Sequence, residues 1–421
     1  MDKLVIEGGR RIDGEVNVSG SKNGLLAVMP ATILAPGVYH LTNTPNLRDV
    51  YTMSRLFNSM GAFCELNDND LFIDTTNMNS YEAPYEFVKM MRASINVLCP
   101  LLSRFGQAKV SLPGGCAFGQ RPIDLHLKGL EKLGAEVKVE SGYIHVKADR
   151  LKGAKFHFDV SSVGATENLL TAAVTAKGTS HFTNAALEPE VTALARMLVK
   201  MGAKIDGIGT THLEIEGVDE LKPIDEEIIP DRIEAATFLI AAAMTKGDIH
   251  LKNTNPYHMT AVLSKLEDAG CVIDVTGESI KLEMKEEIKP VNIKTATYPG
   301  FPTDVQAQWI ALMTCAAGTA KVTDTIYGTR FHHVPELIRL GAQIDVNGDT
   351  ATVHGGKKLQ GTTVMSSDLR ASASLILAGL VAEGRTDVLR VYHIDRGYEA
   401  IEKKLTALGA DIRREEAEEL V

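Results

Sequence analysis

The sequence predicts an α/β fold of two domains, each built from three similar repeats, and three observations lead to this prediction. The chain has 421 residues, which exceeds the size at which one hydrophobic core keeps growing. A phrase in which an amphipathic helix ends at Gly-Ala, or a close variant, and runs into a strand occurs six times. Six other helical segments are apolar on nearly every face and therefore belong in an interior. Six such helices do not fit comfortably in one core, so we expect two domains of three repeats.

The repeats are marked by glycines that close the amphipathic helices. Successive markers lie 73, 68, 68, 71 and 68 residues apart. Glycine suits the left-handed backbone that ends a helix, and such even spacing is typical of a repeat architecture. The marker glycines are Gly61, Gly134, Gly202, Gly270, Gly341 and Gly409.

The same order of elements is predicted around each marker, and the fourth repeat illustrates it. The apolar helix AATFLIAAAMTKG closes on glycine, and the strand GDIHLKNTN follows. An amphipathic helix then reaches the marker in LEDAGCVIDV, and a strand pair runs through TGESIKLEM. Each repeat is therefore a mixed α/β unit.

The first and last segments of the chain are expected to complete each other. The sixth repeat ends at DIRREEAEELV without its second strand, whereas the N-terminal segment supplies LVIEGG and EVNVSG. The N-terminal strands should therefore complete the last repeat, with domain crossings near Ser21 and Pro230. The predicted domains are residues 22–229 and residues 1–21 plus 230–421, joined by a hinge over a cleft.

Composition and charge argue against several classes of protein. No apolar run approaches the length of a membrane span, and the start MDKLVIEGGRRIDG lacks the layout of a signal peptide, so a cytoplasmic location is expected. A net charge of -10 repels nucleic acid and anionic membranes, so neither is an expected partner. The sequence specifies no protein partner. Any anionic ligand must be held by a local cluster of basic residues.

No metal or cofactor is predicted. The five cysteines are an odd number without CxxC spacing, which argues against a disulfide framework and a zinc site. His332 and His333 lack an HExxH pattern or matching ligand spacing, so ordinary histidines are favoured. There is no GxxxxGK[ST] segment, and GIGTTH at 207–212 lacks the third glycine of a dinucleotide fingerprint. Nothing in the sequence calls for NAD, flavin or ATP.

Polar or charged residues recur where the apolar helices begin. If the inner helices of each domain run the same way, their N-terminal ends gather on one face, where free N–H groups and helix dipoles favour anions. Any single position could be an exposed cap without a ligand, but six equivalent positions favour a binding site. These positions are Lys22 with Asn23, Arg92, Ser162 with Thr166, Asp231 with Arg232, Thr303 with Asp304, and Asp368 with Arg370.

The segment SLPGGCAFGQRPIDLH, residues 111–126, interrupts the second repeat with three glycines and two prolines and is predicted to form a mobile lid. Among the cysteines only Cys116 lies in such a loop, and inert buried thiols are expected elsewhere. The nearby Arg121 would lower the thiol pKa and let Cys116 act as an acid or a nucleophile. The alternative is a loop cysteine without a role. Three further segments place a charge beside a turn: FPTDVQAQ with Asp304, YGTRFHHVPEL with Arg330, and YHIDRGYEAIE with Asp395 and Arg396.

Ten segments of the chain, taken in order, are similar to one known family. SGSKN, MRAS, SLPGGCAFGQRPIDLH, SVGATEN, EPE, PDRIEA, FPTDVQAQ, TRFHHVPEL, DLRASASL and HIDRGYE resemble the UDP-N-acetylglucosamine 1-carboxyvinyltransferase (UDP-N-acetylglucosamine enolpyruvyl transferase) family. The PGGC loop separates this family from 5-enolpyruvylshikimate-3-phosphate synthase, which shares the six-repeat fold. The resemblance implies the enolpyruvyl transferase fold, a two-domain inverse α/β barrel built of six similar repeats.

The resemblance also implies two substrates, phosphoenolpyruvate and UDP-N-acetylglucosamine, and no cofactor. Phosphoenolpyruvate would be bound by Lys22, Asn23, Arg121, Arg330, Arg370 and Arg396, with forked guanidiniums suited to its phosphate and carboxylate. UDP-N-acetylglucosamine would be bound by Arg92, Arg121, Pro122, Ile123, Asp124, Leu125, Ser162, Val163, Gly164, Asp304 and Ile326. The residues implied for catalysis are Cys116, Asp304, Lys22, Arg396 and Asp368.

The implied chemistry is an addition followed by an elimination. Cys116 would deliver a proton to the methylene carbon of phosphoenolpyruvate while the sugar 3-hydroxyl, losing its proton to Asp304, attacks the adjacent carbon. Reversal of the first proton transfer would expel phosphate and leave an enol ether, the first committed step of peptidoglycan precursor synthesis. The same thiol is predicted to be alkylated by the epoxide fosfomycin.

Two positions depart from the family pattern, and two alternative functions stay open. Arg48 and Val160 stand where the family usually has lysine, so that only the first keeps the charge. The shikimate-pathway enolpyruvyl transferase is the nearer alternative and is disfavoured by PGGC with RPIDLH. The other is a non-catalytic paralogue that binds the UDP-sugar and regulates a partner. The presence of Lys22, Cys116 and Asp304 disfavours that alternative.

Overall fold

The computed structural model describes residues 2–112 and 123–416. The chain divides into two compact units. The split unit consists of Met1–Ser19 and Pro230–Val421, and the continuous unit is Gly20–Ile229. Each unit has a hydrophobic core formed by its own side chains.

Apart from the short α3, the helices of the described residues alternate between buried and half-exposed. They are α1 (Lys22–Ala31), α2 (Arg48–Ser59), α3 (Tyr85–Val88), α4 (Leu98–Phe105), α5 (Asp124–Lys132), α6 (Val163–Ala173), α7 (Pro189–Lys200), α8 (Arg232–Met244), α9 (Thr260–Asp268), α10 (Gln306–Thr314), α11 (Val334–Arg339), α12 (Leu369–Val381) and α13 (Ile401–Ala407). Short 3₁₀ segments lie at Thr32–Leu34, Arg92–Val97, Pro256–His258, Thr303–Val305 and Val391–Arg396.

The strands of the described residues are short and occur in every repeat. They are β1 (Asp2–Glu7), β2 (Asp13–Asn17), β3 (Val38–Thr42), β4 (Phe63–Asn67), β5 (Asp70–Asp74), β6 (Glu82–Ala83), β7 (Gln107–Ser111), β8 (Glu136–Glu140), β9 (Tyr143–Lys147), β10 (Lys155–His157), β11 (Thr179–Thr183), β12 (Lys204–Asp206), β13 (His212–Glu216), β14 (Glu226–Glu227), β15 (Asp248–Lys252), β16 (Val272–Thr276), β17 (Ser279–Glu283), β18 (Ile293–Lys294), β19 (Thr319–Thr323), β20 (Gln343–Asn347), β21 (Thr350–His354), β22 (Thr363–Met365), β23 (Arg385–Leu389) and β24 (Asp411–Glu416).

The described strands form six four-stranded sheets of one design. In each sheet an edge strand runs parallel to its neighbour, and an antiparallel pair completes the sheet, as β10, β11, β13 and β12 show. The orders are β14-β3-β5-β4, β6-β7-β9-β8, β10-β11-β13-β12, β2-β15-β17-β16, β18-β19-β21-β20 and β22-β23-β1-β24. The α/β class and the sixfold repetition are therefore confirmed. None of these described sheets closes into a barrel.

The inner helices α1, α4, α6, α8, α10 and α12 are buried on nearly all faces. In α8, for example, every residue after Arg232 is buried. The outer helices have a buried side and an exposed side, as in α2, where Val50, Met53 and Leu56 are buried while Arg55 is exposed. No helix in the part of the chain that the structure describes is long and apolar enough to cross a membrane.

The marker glycines end the outer helices with the backbone conformation that the sequence predicts. All six have positive φ, between 91° at Gly61 and 112° at Gly202. Side chains other than hydrogen are strained there, which explains why glycine recurs at this point.

The N-terminal strands complete two different repeats. β1 lies between β23 and β24 and is antiparallel to both, with Leu4 opposite Val388 on one side and Arg414 on the other. The prediction that the first residues complete the last repeat is therefore confirmed for β1. β2, in contrast, runs parallel to β15 and belongs to the fourth repeat. The sequence prediction assigned both strands to the last repeat and was wrong for β2.

The chain passes between the units at matching places in two repeats. In four sheets the parallel edge strand, the inner helix and the next strand follow one another along the chain. In the other two sheets the edge strand comes from the other repeat. β2 precedes α1 along the chain but pairs with β15, which follows α8. β14 precedes α8 but pairs with β3, which follows α1. Backbone hydrogen bonds of 2.9 Å from Asp231 to Ser19 and of 2.7 Å from Ser21 to Ile229 hold the crossing segments within their own units.

Candidate active site

Four inner helices begin at a side chain that caps them. The Ser21 and Ser162 hydroxyls accept hydrogen bonds from helix N–H groups at 3.1 and 3.4 Å. The carboxylates of Asp231 and Asp368 each accept two such bonds, at 2.8 and 3.0 Å. These caps satisfy donors that the first turn of a helix leaves free. Ser162 and Asp368 therefore cap α6 and α12, and their contacts with substrate stay predictions.

Asp304 lies between two buried guanidinium groups in the split unit. It occupies the 3₁₀ turn that leads into α10. Its Oδ1 accepts a hydrogen bond from Nη1 of Arg330 at 2.7 Å, and its Oδ2 accepts one from Nη2 of Arg370 at 3.1 Å. The side chains of the two arginines are 6% and 3% exposed, whereas that of Asp304 is 28% exposed. Three residues predicted from distant motifs thus meet at a carboxylate that solvent can reach.

The hydroxyl of Tyr398 connects all three inner helices of the split unit. It lies 2.8 Å from the hydroxyl of Thr237 on α8, and it accepts hydrogen bonds of 3.2 Å from Nε2 of Gln308 on α10 and from Nη1 of Arg370 on α12. Tyr398 is fully buried. Because Nη1 of Arg370 is held by this hydroxyl, Nη2 is directed towards Asp304.

The surroundings of Arg370 and Tyr398 keep both side chains in the protonation states that they usually have at neutral pH. Burial lowers the pKa of Arg370, but the negative charge of Asp304 and other nearby acidic groups outweigh it, so that the pKa lies above its usual value. Burial raises the pKa of Tyr398. Arg370 therefore remains a cation and Tyr398 a neutral hydroxyl near pH 7.

Asp324 is fully buried beside this cluster and accepts four hydrogen bonds. Its Oδ1 accepts from the Thr295 hydroxyl at 2.8 Å and from the backbone N–H groups of Ile326 and Tyr327 at 3.0 and 2.9 Å. Its Oδ2 accepts from the Thr303 hydroxyl at 2.7 Å. Asp324 thus connects the loop that carries Ile326 to the turn that precedes α10.

Two predicted residues of the split unit lie at its surface. Ile326 is exposed, and Arg396, which is partly exposed, ends the 3₁₀ segment two residues before Tyr398. The neighbouring Asp395 is held by Arg414 of β24 through hydrogen bonds of 2.5 and 3.0 Å. Asp395 therefore serves the packing of β24.

In the continuous unit, Lys22 and Asn23 occupy the first turn of α1, as the sequence predicts. The Lys22 ammonium lies 3.7 Å from the carboxylate of Asp49 at the start of α2. Asn23 is half-buried. A cation in the first turn adds its charge to that of the helix dipole, which favours an anionic ligand.

His126, which the sequence analysis did not single out, lies among residues predicted to bind the UDP-sugar. A Cβ atom added to Gly164 would lie 3.5 Å from Cε1 of His126. Burial and, next, the positive charge of Arg92 lower the pKa of His126 to about 4, although Asp124 opposes them. The imidazole is therefore neutral at pH 7. Its Nδ1 has no hydrogen-bond partner among the described residues.

The remaining predicted residues of this unit are placed around the same helices. Ile123 precedes α5, Leu125 lies in its first turn, and Val163 begins α6. All three are half-buried. Cys116, Arg121 and Pro122 lie outside the described residues, so the predicted lid and its thiol stay predictions.

The other four cysteines are unreactive thiols, as the sequence predicts. Burial raises the pKa of Cys64 and Cys271 to about 12 and that of Cys315 to about 11, and it also raises the pKa of Cys99. All four are free cysteines. Because the thiolate is the reactive form, these side chains are inert at neutral pH.

A buried polar network joins α6 to the 3₁₀ segment Arg92–Val97. Nδ2 of Asn96 donates to the carboxyl of Glu167 at 2.9 Å, and Nδ2 of Asn168 donates to Oδ1 of Asn96 at 3.1 Å. Burial raises the pKa of Glu167 to about 8, and Glu190 and Glu188 contribute to this shift. Glu167 is therefore largely protonated at pH 7.

No group of His, Cys, Asp or Glu side chains in the ranges 2–112 and 123–416 is arranged to hold a metal ion. Sequence reasoning missed Tyr398, Asp324 and His126. Two of them lie in quoted motifs, and this was the available signal: Tyr398 is the last residue but one of HIDRGYE, and His126 ends RPIDLH. Their partners lie far away along the chain, so the motifs alone did not disclose a function.

Comparison with known proteins first defines the class. Residues 6–405 match the family described as EPSP synthase (3-phosphoshikimate 1-carboxyvinyltransferase). The structure is similar to that of the enolpyruvyl transferase NikO from Streptomyces tendae, with a TM-score of 0.89, 25% identity and 99% of both chains covered. EPSP synthase from Acinetobacter baumannii has a TM-score of 0.75 at 18% identity, covering 99% of this chain and 100% of that one, which shows the fold alone. The fold is that of the enolpyruvyl transferases.

Sequence relatives then define the family. The UDP-N-acetylglucosamine 1-carboxyvinyltransferase of Chloroherpeton thalassium is 58% identical over 100% of this chain and 98% of its own length. That of Geotalea uraniireducens is 54% identical over 98% of this chain and 99% of its own length. The chain belongs to the UDP-N-acetylglucosamine 1-carboxyvinyltransferase family.

Proposed function

We propose that this chain transfers the enolpyruvyl group of phosphoenolpyruvate to the 3-hydroxyl of UDP-N-acetylglucosamine and releases phosphate. The observation that carries the proposal is the Asp304 carboxylate, held at 2.7 and 3.1 Å by Arg330 and Arg370. The reaction needs a base for a sugar hydroxyl beside cations for an anionic donor, and this cluster supplies both. The relatives at 58% and 54% identity, named for this reaction, support the same conclusion.

The donor would be bound through its two anionic groups. Arg330 and Arg370 present buried guanidiniums, which suit a carboxylate, and Arg396 would assist them. Lys22, Asn23 and Arg121 would bind the phosphate, with the N-terminus of α1 adding its dipole.

The acceptor would be bound mainly by the continuous unit. Arg92, the first residue of the 3₁₀ segment Arg92–Val97, would bind a phosphate of the nucleotide, and the start of α6 at Val163 and Gly164 offers backbone N–H groups. The segment 121–125 and Ile326 would contact the remainder of the UDP-sugar. The lack of a side chain at Gly164 lets a ligand approach that helix start closely.

The proposed reaction balances with the groups of this chain and the two substrates. The Cys116 thiol gives its proton to the methylene carbon, the 3-hydroxyl oxygen bonds to the adjacent carbon, and Asp304 takes the hydroxyl proton. The resulting tetrahedral ketal loses phosphate when the thiolate takes back a proton from the new methyl group. Positioning and the neutralisation of charge by the arginines supply most of the rate.

Phosphate release tests the proposal directly. Phosphoenolpyruvate is mixed with the enzyme and either UDP-N-acetylglucosamine or shikimate 3-phosphate, the acceptor of the alternative function. We expect phosphate release with UDP-N-acetylglucosamine and none with shikimate 3-phosphate. Release only with shikimate 3-phosphate would support the alternative, and no release with either acceptor would support a non-catalytic protein.

Variants at Cys116 test the role of the thiol. If proton donation is its task, Cys116→Asp should support turnover better than Cys116→Ser, because a carboxylic acid can donate a proton and a serine hydroxyl is too weak an acid. Fosfomycin should inactivate the wild-type enzyme by alkylating Cys116 and should leave the aspartate variant active. Full activity of the wild type after exposure to the epoxide would contradict this role.

The cellular setting is part of the same proposal. The product would enter peptidoglycan precursor synthesis, and a cytoplasmic location stays a prediction. Fractionation of cells that express a tagged chain would test the location.

A further inference from the structure

We infer that Thr303 and Asp324 are positioning residues that hold Arg330 against Asp304 through a relay of hydrogen bonds. The relay runs from the Asp324 carboxylate to the Thr303 hydroxyl at 2.7 Å, from that hydroxyl to Nη1 of Arg330 at 3.1 Å, and from Nη1 to Oδ1 of Asp304 at 2.7 Å. The inference rests on the proposed function, in which Asp304 is the base.

Asp324 determines in which direction the Thr303 hydroxyl donates its proton. This side chain is fully buried, and its two oxygens accept all four of the hydrogen bonds that reach them. The Thr303 hydroxyl must therefore point its proton at Asp324. Its lone pairs are left to face Arg330, which has only N–H groups to donate.

The relay matters because Nη1 of Arg330 is shared between two acceptors. Thr303 and Asp304 together define where this nitrogen lies, and the guanidinium is almost completely enclosed. Without the threonine oxygen, Nη1 would lose an acceptor that fixes its position and could turn about its contact with Asp304. The base would then lose its fixed position relative to the sugar hydroxyl.

Asp324 restrains Arg330 from a second side as well. Its Oδ1 accepts the backbone N–H of Tyr327 at 2.9 Å, and the ring of that tyrosine lies 5.8 Å from the guanidinium carbon of Arg330. The same oxygen accepts the N–H of Ile326 at 3.0 Å. The Asp324 carboxylate thus fixes the positions of both Arg330 and the loop that is proposed to contact the UDP-sugar.

The experiment compares Thr303→Val, Thr303→Ser and Thr295→Val in the full-length enzyme. Valine preserves the shape of threonine but removes the hydroxyl, and serine restores the hydroxyl. Thr295→Val is the matched control, because the Thr295 hydroxyl also donates to Asp324, at 2.8 Å, and accepts one further hydrogen bond, from the N–H of Thr325 at 3.0 Å. The two valine variants therefore lose equal numbers of hydrogen bonds, but only one of them breaks the contact with Arg330.

We expect Thr303→Val to lower kcat by about 10- to 100-fold, the scale of a misplaced catalytic group. The KM for UDP-N-acetylglucosamine should change little, because the loop at Ile326 keeps its bonds to Asp324. Thr303→Ser should restore most of the turnover, and Thr295→Val should keep it. Melting temperatures should fall similarly in both valine variants, so a structural effect alone would not separate them.

Equal kcat values for Thr303→Val and Thr295→Val would overturn the inference. If Thr303→Val does not fold, Asp324→Asn decides, because its amide would donate to Thr303 and reverse the relay while its carbonyl still accepts the loop N–H groups. Wild-type turnover in that variant would equally overturn the inference. A wild-type enzyme that releases no phosphate would instead contradict the proposed function, so the two failures are distinguishable.

Discussion

The Tyr398 hydroxyl is a single group on which the orientation of Arg370 beside Asp304 depends, because Thr237, Gln308 and Arg370 all contact it at 2.8 to 3.2 Å. Tyr398→Phe keeps the ring and removes the hydroxyl, so that Thr237, Gln308 and Arg370 each lose one buried hydrogen bond. We expect the free energy of unfolding to fall by about 1–3 kcal/mol. We also expect kcat/KM for phosphoenolpyruvate to fall by about 10-fold as Arg370 loses its orientation.

Urea denaturation and steady-state kinetics on the same preparations would measure both effects. Tyr257→Phe is the matched control, since Tyr257 is 78% exposed and should change stability by less than about 0.5 kcal/mol. A Tyr398→Phe variant as stable and as active as this control would show that the hydroxyl is dispensable.

The carboxyl of Glu167 makes stability depend on pH. An unfolded glutamate ionises near pH 4.5, whereas burial raises the pKa of Glu167 in the folded chain to about 8. The folded state therefore binds more protons between these values, so this group's contribution to stability falls as pH rises through that window. Glu167→Gln cannot ionise and keeps an oxygen to accept from Asn96. Its stability relative to wild type should rise by up to about 1.4 kcal/mol per pH unit from pH 5 to 8.

Unfolding of wild type, Glu167→Gln and Glu140→Gln at pH 5 to 9 would measure this dependence. Glu140 is exposed on β8, and its replacement is the control that removes a carboxyl without changing the core. A flat difference for Glu167→Gln would mean that this carboxyl ionises normally in the folded protein.

Residues of this kind were beyond the sequence analysis for a physical reason. Asp304 and Arg330 stood beside turns, and Arg370 stood at the start of an apolar helix, all in recognisable motifs, so the sequence pattern revealed them. The partners of Tyr398 lie 28 to 161 residues away, and only tertiary packing brings them together. No periodicity or local motif reports such a contact.

At the scale of elements, the marker glycines offer a test that concerns the backbone alone. Gly202 has a φ of 112°, and nothing lies within 4 Å of the position that a Cβ would occupy. Gly202→Ala should therefore lower the free energy of unfolding by about 1–2 kcal/mol through backbone strain, without steric clash.

The opposite substitution serves as its control. Ser141 has a φ of 52° in the turn between β8 and β9, where glycine would relieve strain. Ser141→Gly should be neutral or slightly stabilising, because relief of strain offsets the greater freedom of glycine when unfolded. Thermal denaturation of both variants would check the difference in sign. A tolerated Gly202→Ala would show that left-handed geometry is not what the repeat requires.

The elements that the sequence predicted best were those specified locally. Each inner helix was visible as an apolar run, and each outer helix ended at a glycine whose φ is positive. β2 was assigned to the wrong repeat because pairing between strands is not a local property. Its partner β15 lies 235 residues further along the chain and is reached only after the whole continuous unit.

At the scale of the whole molecule, the pairing of β2 with β15 and of β14 with β3 means that each unit completes one of its sheets with a strand that lies next to a chain crossing. The continuous unit takes α1 and β3 from one repeat and its edge strand β14 from the end of the segment. The prediction that residues 22–229 form a domain can be tested by expressing that segment. The repeat count and the order of elements predicted the architecture, but which edge strand closes which sheet required the structure.

In the proposed reaction this chain adds a proton to phosphoenolpyruvate and then removes one, with UDP-N-acetylglucosamine as acceptor. The most direct measurement is the reaction in D₂O, followed by mass spectrometry and proton NMR of the sugar product. Addition of a deuteron makes a CH₂D group in the intermediate, so the vinyl methylene of the product should carry deuterium. An enolpyruvyl product whose methylene contains only protium, or no enolpyruvyl product at all, would contradict the proposed reaction.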